Sequence, residues 1–327
     1  MRERAFEVKI HIPFWGETVK KTALMLADTR PALIGQMLLQ IEKTNRDVFD
    51  EVLVFDTGLN DNDKALMQKL MPCRFIKYES PISNELLKRD RFKRFSLIMF
   101  ARYEMFRLLN DYSLIMWMDT DMVIQGSLKE LLDETAGYGF SILCEDPHNK
   151  SAKKVDYMRT NFFHAISKYN MNTYLYCTGM IIVRDCLEQS CDFTEWCYQK
   201  TLEWADNLNL PDQGVLNALT QEFKLNVKPF GNNGKYGCYP FIGRNCEDAI
   251  TVHSWGTNKF WNNWYLNCKF PFWEECYREW IDMGGSTLDR TISPEISVII
   301  PTYKPDTGYF KQCIDSLINQ EQNGYES

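Results

Sequence analysis

The feature that most constrains this chain is residues 114–126, which read Leu-Ile-Met-Trp-Met-Asp-Thr-Asp-Met-Val-Ile-Gln-Gly. An apolar run without polar alternation cannot be a half-exposed strand; it suits a strand buried on both faces, the kind that parallel sheets use. The run breaks abruptly at two carboxylates, Asp119 and Asp121, one residue apart. In open α/β sheets ligands gather at the carboxyl ends of the strands, so these acids stand where a bound molecule would be. Like charges side by side in a crevice repel unless a cation or a shared proton relieves them, and a divalent metal is the economical answer. Directly afterwards, Ser127-Leu-Lys-Glu130 has the spacing of a capping box and predicts a helix beginning at Ser127.

Two other readings of the acidic pair stand beside the metal site. One is a pair of solvated loop carboxylates after a core strand. The other is a phosphatase of the haloacid dehalogenase type, whose nucleophilic aspartate also ends an apolar strand. That family keeps its motif near the start of the domain and follows it with a paired-aspartate metal motif. Here a long stretch comes first and no such pair follows, so the phosphatase is a minor alternative.

The surrounding pattern supports a sheet with helices on both faces. Residues 22–27 form a short apolar run closed by Asp28, and 31–42 carry helical periodicity behind Pro31. Residues 51–55 predict a second strand ending in Asp56-Thr-Gly58, 61–70 a helix with acids in its first turn, and 73–78 a third strand. Such alternation predicts a doubly wound, mostly parallel sheet. Residues 95–109 fit a helix that carries Arg102 into the acidic strand, and 140–144 fit a strand ending in Glu145 and Asp146.

The second half is less regular. Residues 150–172 are polar and aromatic, which suits an excursion over the site. Residues 174–183 read as a strand interrupted by Thr178-Gly179, where glycine lets a neighbour or ligand approach the backbone. A helix is expected over 194–207, and Pro211-Asp212-Gln213-Gly214 leads into another that opens at Val215, with Asp212 suited to its N-cap. Residues 249–254 predict a strand containing His253, followed by the loop 255–259. The dense aromatics of 260–280 are expected to pack a terminal helix on the sheet, in preference to forming a sugar-stacking or membrane-facing rim. Residues 1–20 suggest no chemistry.

Composition narrows the function class. A 45% hydrophobic content supports a sizeable core, and a net charge of -7 argues against a nucleic-acid binder, whose affinity comes from clustered Lys and Arg. A small metal-chelated anion is the better partner. The 11 cysteines are scattered, odd in number and without a Cys-x-x-Cys pair or a secretory leader, so a reduced, cytoplasmic setting without structural zinc is expected. No apolar run approaches the roughly 18 residues of a membrane span, which leaves at most peripheral contact with the inner face of the cell membrane.

Several separated pieces together resemble one family, the retaining glycosyltransferases of the family-8 type, the glycogenin and lipopolysaccharide-galactosyltransferase group. In order they are Leu-Ala-Asp28 after the first strand, Val-Phe-Asp-Thr-Gly58 after the second, Arg102, Met-Asp119-Thr-Asp121, Thr178-Gly179, Asp212-Gln213 and His253-x-x-Gly256-x-x-Lys259-x-Trp261. The resemblance implies a GT-A fold, Rossmann-like with a mostly parallel mixed sheet, and a hexosyltransferase that uses a UDP-sugar with Mn2+ or Mg2+. It implies Asp119, Asp121 and His253 as metal ligands, and Gly256 and Lys259 on the diphosphate. Asp28 would meet the uracil or ribose; Arg102, Thr178, Gly179, Asp212 and Gln213 would surround the donor, with Gln213, Asp212 and Asp146 nearest the chemistry. Cys177-Thr178-Gly179 departs from the family's usual Asn-Ala-Gly or Asn-Ser-Gly, which bears on sugar identity. The acceptor would be a glycan or glycoprotein.

Residues 296–320, with their Val-Ile-Ile-Pro-Thr-Tyr strand, resemble the start of a family-2 glycosyltransferase. Roughly thirty residues cannot bury a core of their own. The expected organisation is a transferase domain over 1–285, a linker over 286–295 and the opening fragment of a second domain over 296–327. A non-catalytic domain that binds nucleotide sugars or scaffolds that second domain is the competing class.

Overall fold

Each early apolar run becomes a strand because its side chains are wanted on both sides of one sheet. Leu24 and Leu26 of the first strand point into one core, and Ala23 and Met25 into the other. The computed structural model describes residues 20–83, 86, 95–144, 168–171, 173, 175–240, 245–290, 300 and 306–318.

The chain opens with β1 (Lys21–Ala27), α1 (Pro31–Asn45), β2 (Glu51–Asp56), α2 (Asp61–Leu70) and β3 (Cys73–Lys77). Pro31 starts α1 where its missing N–H costs nothing, and Asn60 caps α2 by accepting from the Asp63 N–H at 2.8 Å. β1, β2 and β3 pair in parallel. The predicted helix over 95–109 is instead a 3-10 turn, Leu97–Glu104, continued by α3 (Met105–Leu108). The tighter winding brings residues three apart into line, and the Arg102 side chain donates back to the Met99 carbonyl at 2.9 Å.

The central apolar run splits into β4 (Tyr112–Met118) and β5 (Met122–Ile124), with the acidic pair between them. β4 lies parallel to β1. It is buried on both faces, with Leu114, Met116 and Met118 in one core and Ile115 and Trp117 in the other. The helix that follows, α4 (Lys129–Glu134), starts two residues later than expected; Ser127 Oγ accepts from the Lys129 N–H at 3.2 Å, and the Asn45 side chain holds the Leu128 N–H at 2.6 Å.

The remainder comprises β6 (Phe140–Cys144), β7 (Tyr176–Arg184), α5 (Phe193–Glu203), α6 (Pro211–Glu222), β8 (Val227–Phe230), β9 (Thr251–His253), α7 (Trp264–Lys269), α8 (Pro271–Asp282) and α9 (Thr307–Ile318). The main sheet has the order β3-β2-β1-β4-β7-β6-β8, in which β7 runs antiparallel to both neighbours. The sheet is thus mixed and mostly parallel, as expected. β7 is not broken at Thr178-Gly179; its pairing to β6 jumps from Ile142↔Ile181 to Leu143↔Cys177, so a bulge absorbs the extra residues. The strand containing His253 is shorter than expected and lies outside the main sheet, paired antiparallel with β5.

Helices cover both faces. α1 and α8 pack against one side, and the 3-10 turn, α5 and α6 against the other. Gly35 sits mid-helix because a Cβ there would lie 2.3 Å from the Trp280 ring. The aromatic stretch resolves toward packing, since Phe260, Trp273 and Trp280 are fully buried while Trp264 is exposed. Of the expected second-domain fragment, 301–305 and most of the run before it lie outside the described residues, and α9 is the helix seen within it.

Candidate functional site

The acidic pair is held at the carboxyl end of β4 by a backbone turn tied on both sides. The Asp119 N–H donates to the Gly179 carbonyl at 2.9 Å, and the Ser254 N–H donates to the Asp121 carbonyl at 3.0 Å. The register Met122↔His253 then brings the imidazole of β9 back over the carboxylates. His253 Nε2 lies 3.1 Å from Asp121 Oδ1 and 3.7 Å from Asp119 Oδ2. One donor atom from each of the three residues falls within 4.8 Å of the others. Two carboxylates and one imidazole at that spacing form a donor set that fits a hard or borderline divalent cation such as Mn2+ or Mg2+.

The imidazole has a seat of its own. A Cβ on Gly179 would lie 2.4 Å from His253 Cε1 and 2.8 Å from Nδ1. Glycine here makes room for the ring, which is 2% exposed and whose Nδ1 is buried without a hydrogen-bond partner.

Asp119 is anchored to the far side of the crevice. Its Oδ1 accepts from Arg102 at 3.0 Å and from the Trp117 indole N–H at 2.8 Å. Arg102 is itself buried, lies 4.7 Å over the Trp117 ring, donates to the Thr178 carbonyl at 2.8 Å and pairs with Asp212 Oδ2 at 2.8 Å. Thr178 Oγ1 donates to the same Asp212 oxygen at 2.8 Å. One guanidinium thus joins the acidic motif, the bulge of β7 and the first turn of α6.

Asp121 is held from the other side. Its Oδ2 is ion-paired with Lys259, whose ammonium also donates to the Ser254 carbonyl at 2.8 Å. Gly256 lies in the connecting loop at φ 91°, a left-handed conformation that glycine adopts without strain. The two aspartates consequently titrate in opposite directions. Burial pushes the Asp119 carboxyl up, and the Asp121 charge adds to this, against the pull of Arg102 and His253. Burial acts on Asp121 in the same sense, but His253 and Lys259 outweigh it and hold that carboxyl well below the usual range. For Arg102, burial works against the charge and Asp119 and Asp212 more than restore it.

The family model for glycosyl transferase family 8 matches residues 22–265. The chain belongs to glycosyl transferase family 8. Among solved structures, this family 8 chain is similar to the galactosyltransferase LgtC in complex with donor and acceptor sugar analogs, at 15% identity and a TM-score of 0.58, over 80% of this chain and 100% of that one. An active-site mutant of LgtC gives 15% identity and a TM-score of 0.55, over 84% and 98%. The bifunctional glycosyltransferase WbbM gives 14% identity and a TM-score of 0.52, over 83% of this chain and 52% of that one. These likenesses establish the GT-A fold. No curated protein matches the sequence.

Within this family 8 fold, Asp119, Asp121, His253, Lys259, Arg102, Thr178, Gly179 and Asp212 form one connected cluster. Asp28 joins it through Thr120, whose hydroxyl donates to Asp28 Oδ2 at 2.6 Å. Asp28 also holds Arg30 Nε at 2.9 Å, and that guanidinium lies 4.9 Å over the Trp261 ring. Gln213 is buried beside Asp212 in the first turn of α6. That helix begins at Pro211 rather than at Val215, because the proline suits the first position and the Gly214 N–H already bonds to the Leu210 carbonyl at 2.7 Å. Asp212 is therefore not an N-cap; Leu210 holds that position. Asp146 lies outside the described residues.

Sequence reasoning missed Thr120, Trp117 and Ser254. Their contribution is a hydroxyl to Asp28 far back in the chain, an indole N–H to Asp119 two residues on and a carbonyl to Lys259 five residues on; which way each group turns is set by the tertiary structure, and local patterning carries no trace of that.

Proposed function

We propose that the protein moves a hexose, glucose or galactose, from a UDP-sugar to a hydroxyl of a glycan or glycoprotein, with retention of anomeric configuration and a requirement for Mn2+ or Mg2+. The observation that carries this reading is the convergence of Asp119, Asp121 and His253 within 4.8 Å at the end of the central strand of a family 8 chain. LgtC, a galactosyltransferase whose structure holds donor and acceptor sugar analogs, lends the substrate class.

In this reading Asp119 and Asp121 supply oxygen ligands and His253 the nitrogen. The bound cation would act as a Lewis acid that neutralises the leaving diphosphate. Lys259 adds a point charge toward the same oxygens, and the Gly256 turn opens its backbone N–H groups to them. Asp28 faces the uracil or ribose, steadied by Thr120. Arg102 orients Asp119 and Asp212, so that Asp212 and Gln213 border the donor sugar. An amide such as Gln213 is a poor nucleophile, which favours departure and attack on one face of the sugar over a covalent intermediate. Fixed charges aimed at the leaving group are the main catalytic contribution. A cytoplasmic setting with at most peripheral membrane contact is part of the proposal; among the described residues no helix is long and apolar enough to cross a membrane.

The test is UDP release from a panel of UDP-sugars with and without Mn2+, for the wild type and for Asp119→Ala and Asp121→Ala. Metal-dependent release that both substitutions abolish, with a product of retained anomeric configuration by NMR, is expected. Release from none of the sugars would sink the proposal and favour a scaffolding domain.

A further inference from the structure

Both oxygens of Asp121 are already taken. Oδ1 faces His253 Nε2 at 3.1 Å, and Oδ2 is ion-paired with Lys259. The same ammonium donates to the Ser254 carbonyl at 2.8 Å, so it bridges an acid and a backbone oxygen as a small cation would. A divalent ion ligated by Asp121 and the Lys259 ammonium therefore compete for one carboxylate. Two cations against that oxygen would repel each other across a few ångströms in a half-buried crevice, where Coulomb energies are not well screened.

We propose that Lys259 is a built-in place-holder: it keeps the cation-free site assembled by neutralising Asp121, and it is displaced when the metal enters. The inference rests on the metal reading above and deepens it. Its consequence is thermodynamic linkage. Metal alone must expel the ammonium and binds weakly, whereas a diphosphate gives the ammonium a new partner and removes that cost. Metal and nucleotide sugar then bind cooperatively, each helping the other.

The surroundings permit the movement. Lys259 is one-fifth exposed at its side chain, whereas Arg102, which makes the matching contact to Asp119, is almost wholly buried and held by four partners. The lysine ends a loop of exposed residues, Gly256, Thr257 and Asn258, whose glycine is in the left-handed region. Its ammonium also lies 6.0 Å from the Trp261 ring, which already carries the Arg30 guanidinium at 4.9 Å.

Two readouts on the full chain test this, and neither is enzymatic activity. The first is a brief pulse of amine acetylation read by mass spectrometry, with the exposed Lys129 as internal standard. Acetylation of Lys259 should rise when Mn2+ alone is added and fall again when UDP is added with it. The second is Mn2+ binding by electron paramagnetic resonance. Lys259→Met should bind Mn2+ alone about fivefold more tightly than the wild type, the low end of ordinary coupling between sites, and should lose that advantage in the presence of UDP. Acetylation of Lys259 that stays constant or falls on Mn2+ addition overturns the proposal, even if Lys259→Met binds more tightly, because charge removal alone would then explain the affinity. So does a Lys259→Met protein that binds Mn2+ no better than wild type. Absence of Mn2+ binding in both proteins, with UDP present, overturns the metal reading itself.

Discussion

The crevice around the Asp-Thr-Asp turn has two walls of different construction. On the Asp119 side, Arg102, Trp117, Thr178 and Asp212 form a buried lattice in which the guanidinium is fixed by carbonyls and carboxylates from four stretches of chain. On the Asp121 side, His253 comes from a three-residue strand outside the main sheet, and Lys259 comes from a loop with exposed residues. Both walls rest on buried residues, but the Asp119 side is tied by a guanidinium that is itself in the core, whereas Lys259 stands at the end of a loop of exposed residues. Under the proposed function the two walls would divide the work: the fixed lattice orients the donor, and Lys259 moves to meet the charge on the leaving group.

The largest effects should be shared by the two walls. Asp119→Ala and Asp121→Ala are each expected to lower kcat/KM for UDP-sugar turnover by about a thousandfold, the scale on which fixed electrostatic groups act. A much smaller loss for one of them would break the symmetry between the walls at the level of chemistry.

Stability should separate the walls next. Arg102→Met leaves Asp119 and Asp212 without their buried counter-charge, and removing one partner from such a pair costs about 3–5 kcal/mol. Lys259→Met removes a largely buried ion pair but leaves Asp121 its contact with His253, so the cost should be smaller, about 1–3 kcal/mol. Denaturant titration of both variants measures the difference directly. Equal losses would show that the loop wall is as integral to the core as the lattice wall.

Gly179 is the point at which the walls touch, because the bulge of the Asp119 wall makes the seat for the imidazole of the Asp121 wall. Gly179→Ala places a methyl group 2.4 Å from His253 Cε1 and 3.0 Å from Met122 Cε, so the ring must tilt away from the carboxylates. The expected result is a folded protein whose Mn2+ affinity in the presence of UDP falls by about tenfold, as when the support of a metal-ligating histidine is disturbed. Unchanged affinity would mean that the ring has slack, which the packing contradicts.

How much of this was legible in the sequence follows from the range of the interactions. β1, β2 and β4 are readable because each is a continuous apolar run that stops at an acid, and Asp28, Asp119 and Asp121 follow from that rule. His253 and Lys259 are reached only through the resemblance to the family-8 motif around Gly256, a pattern without meaning in isolation. What local patterning could not supply was direction and contact. Nothing in 174–183 says that β7 runs against its neighbours or that its bulge will sit under an imidazole, and nothing near Thr120 says that its hydroxyl will steady Asp28. The start of α6 lies at Pro211 and not at Val215, because the backbone bond from Gly214 to Leu210 that closes its first turn is invisible in the residues themselves.

The smallest effect concerns what the Lys259 loop stands on. Beyond Lys259 the chain passes through Phe260, whose carbonyl accepts from the Asn267 side chain at 3.1 Å; Asn267 also donates to Glu274 Oε2 at 2.9 Å. Glu274 is ion-paired with Arg290 at 2.6 Å and with Arg278 at 2.9 Å. Burial pushes the Glu274 carboxyl up, but the bonds from Arg290, Asn267 and Arg278 prevail and hold it below its ordinary value. A carboxyl depressed on folding adds stability above its unfolded pKa, about 4.3 for glutamate, and that contribution disappears as pH falls through the folded value. Glu274→Gln should therefore melt slightly below the wild type at pH 7, and the gap should close as the pH is lowered through about 4.3 and below. Melting curves across that range decide it: a gap that stays constant or widens with acid would show that Glu274 acts by shape alone, and that the tie from α8 to the Lys259 loop carries no charge-dependent strength.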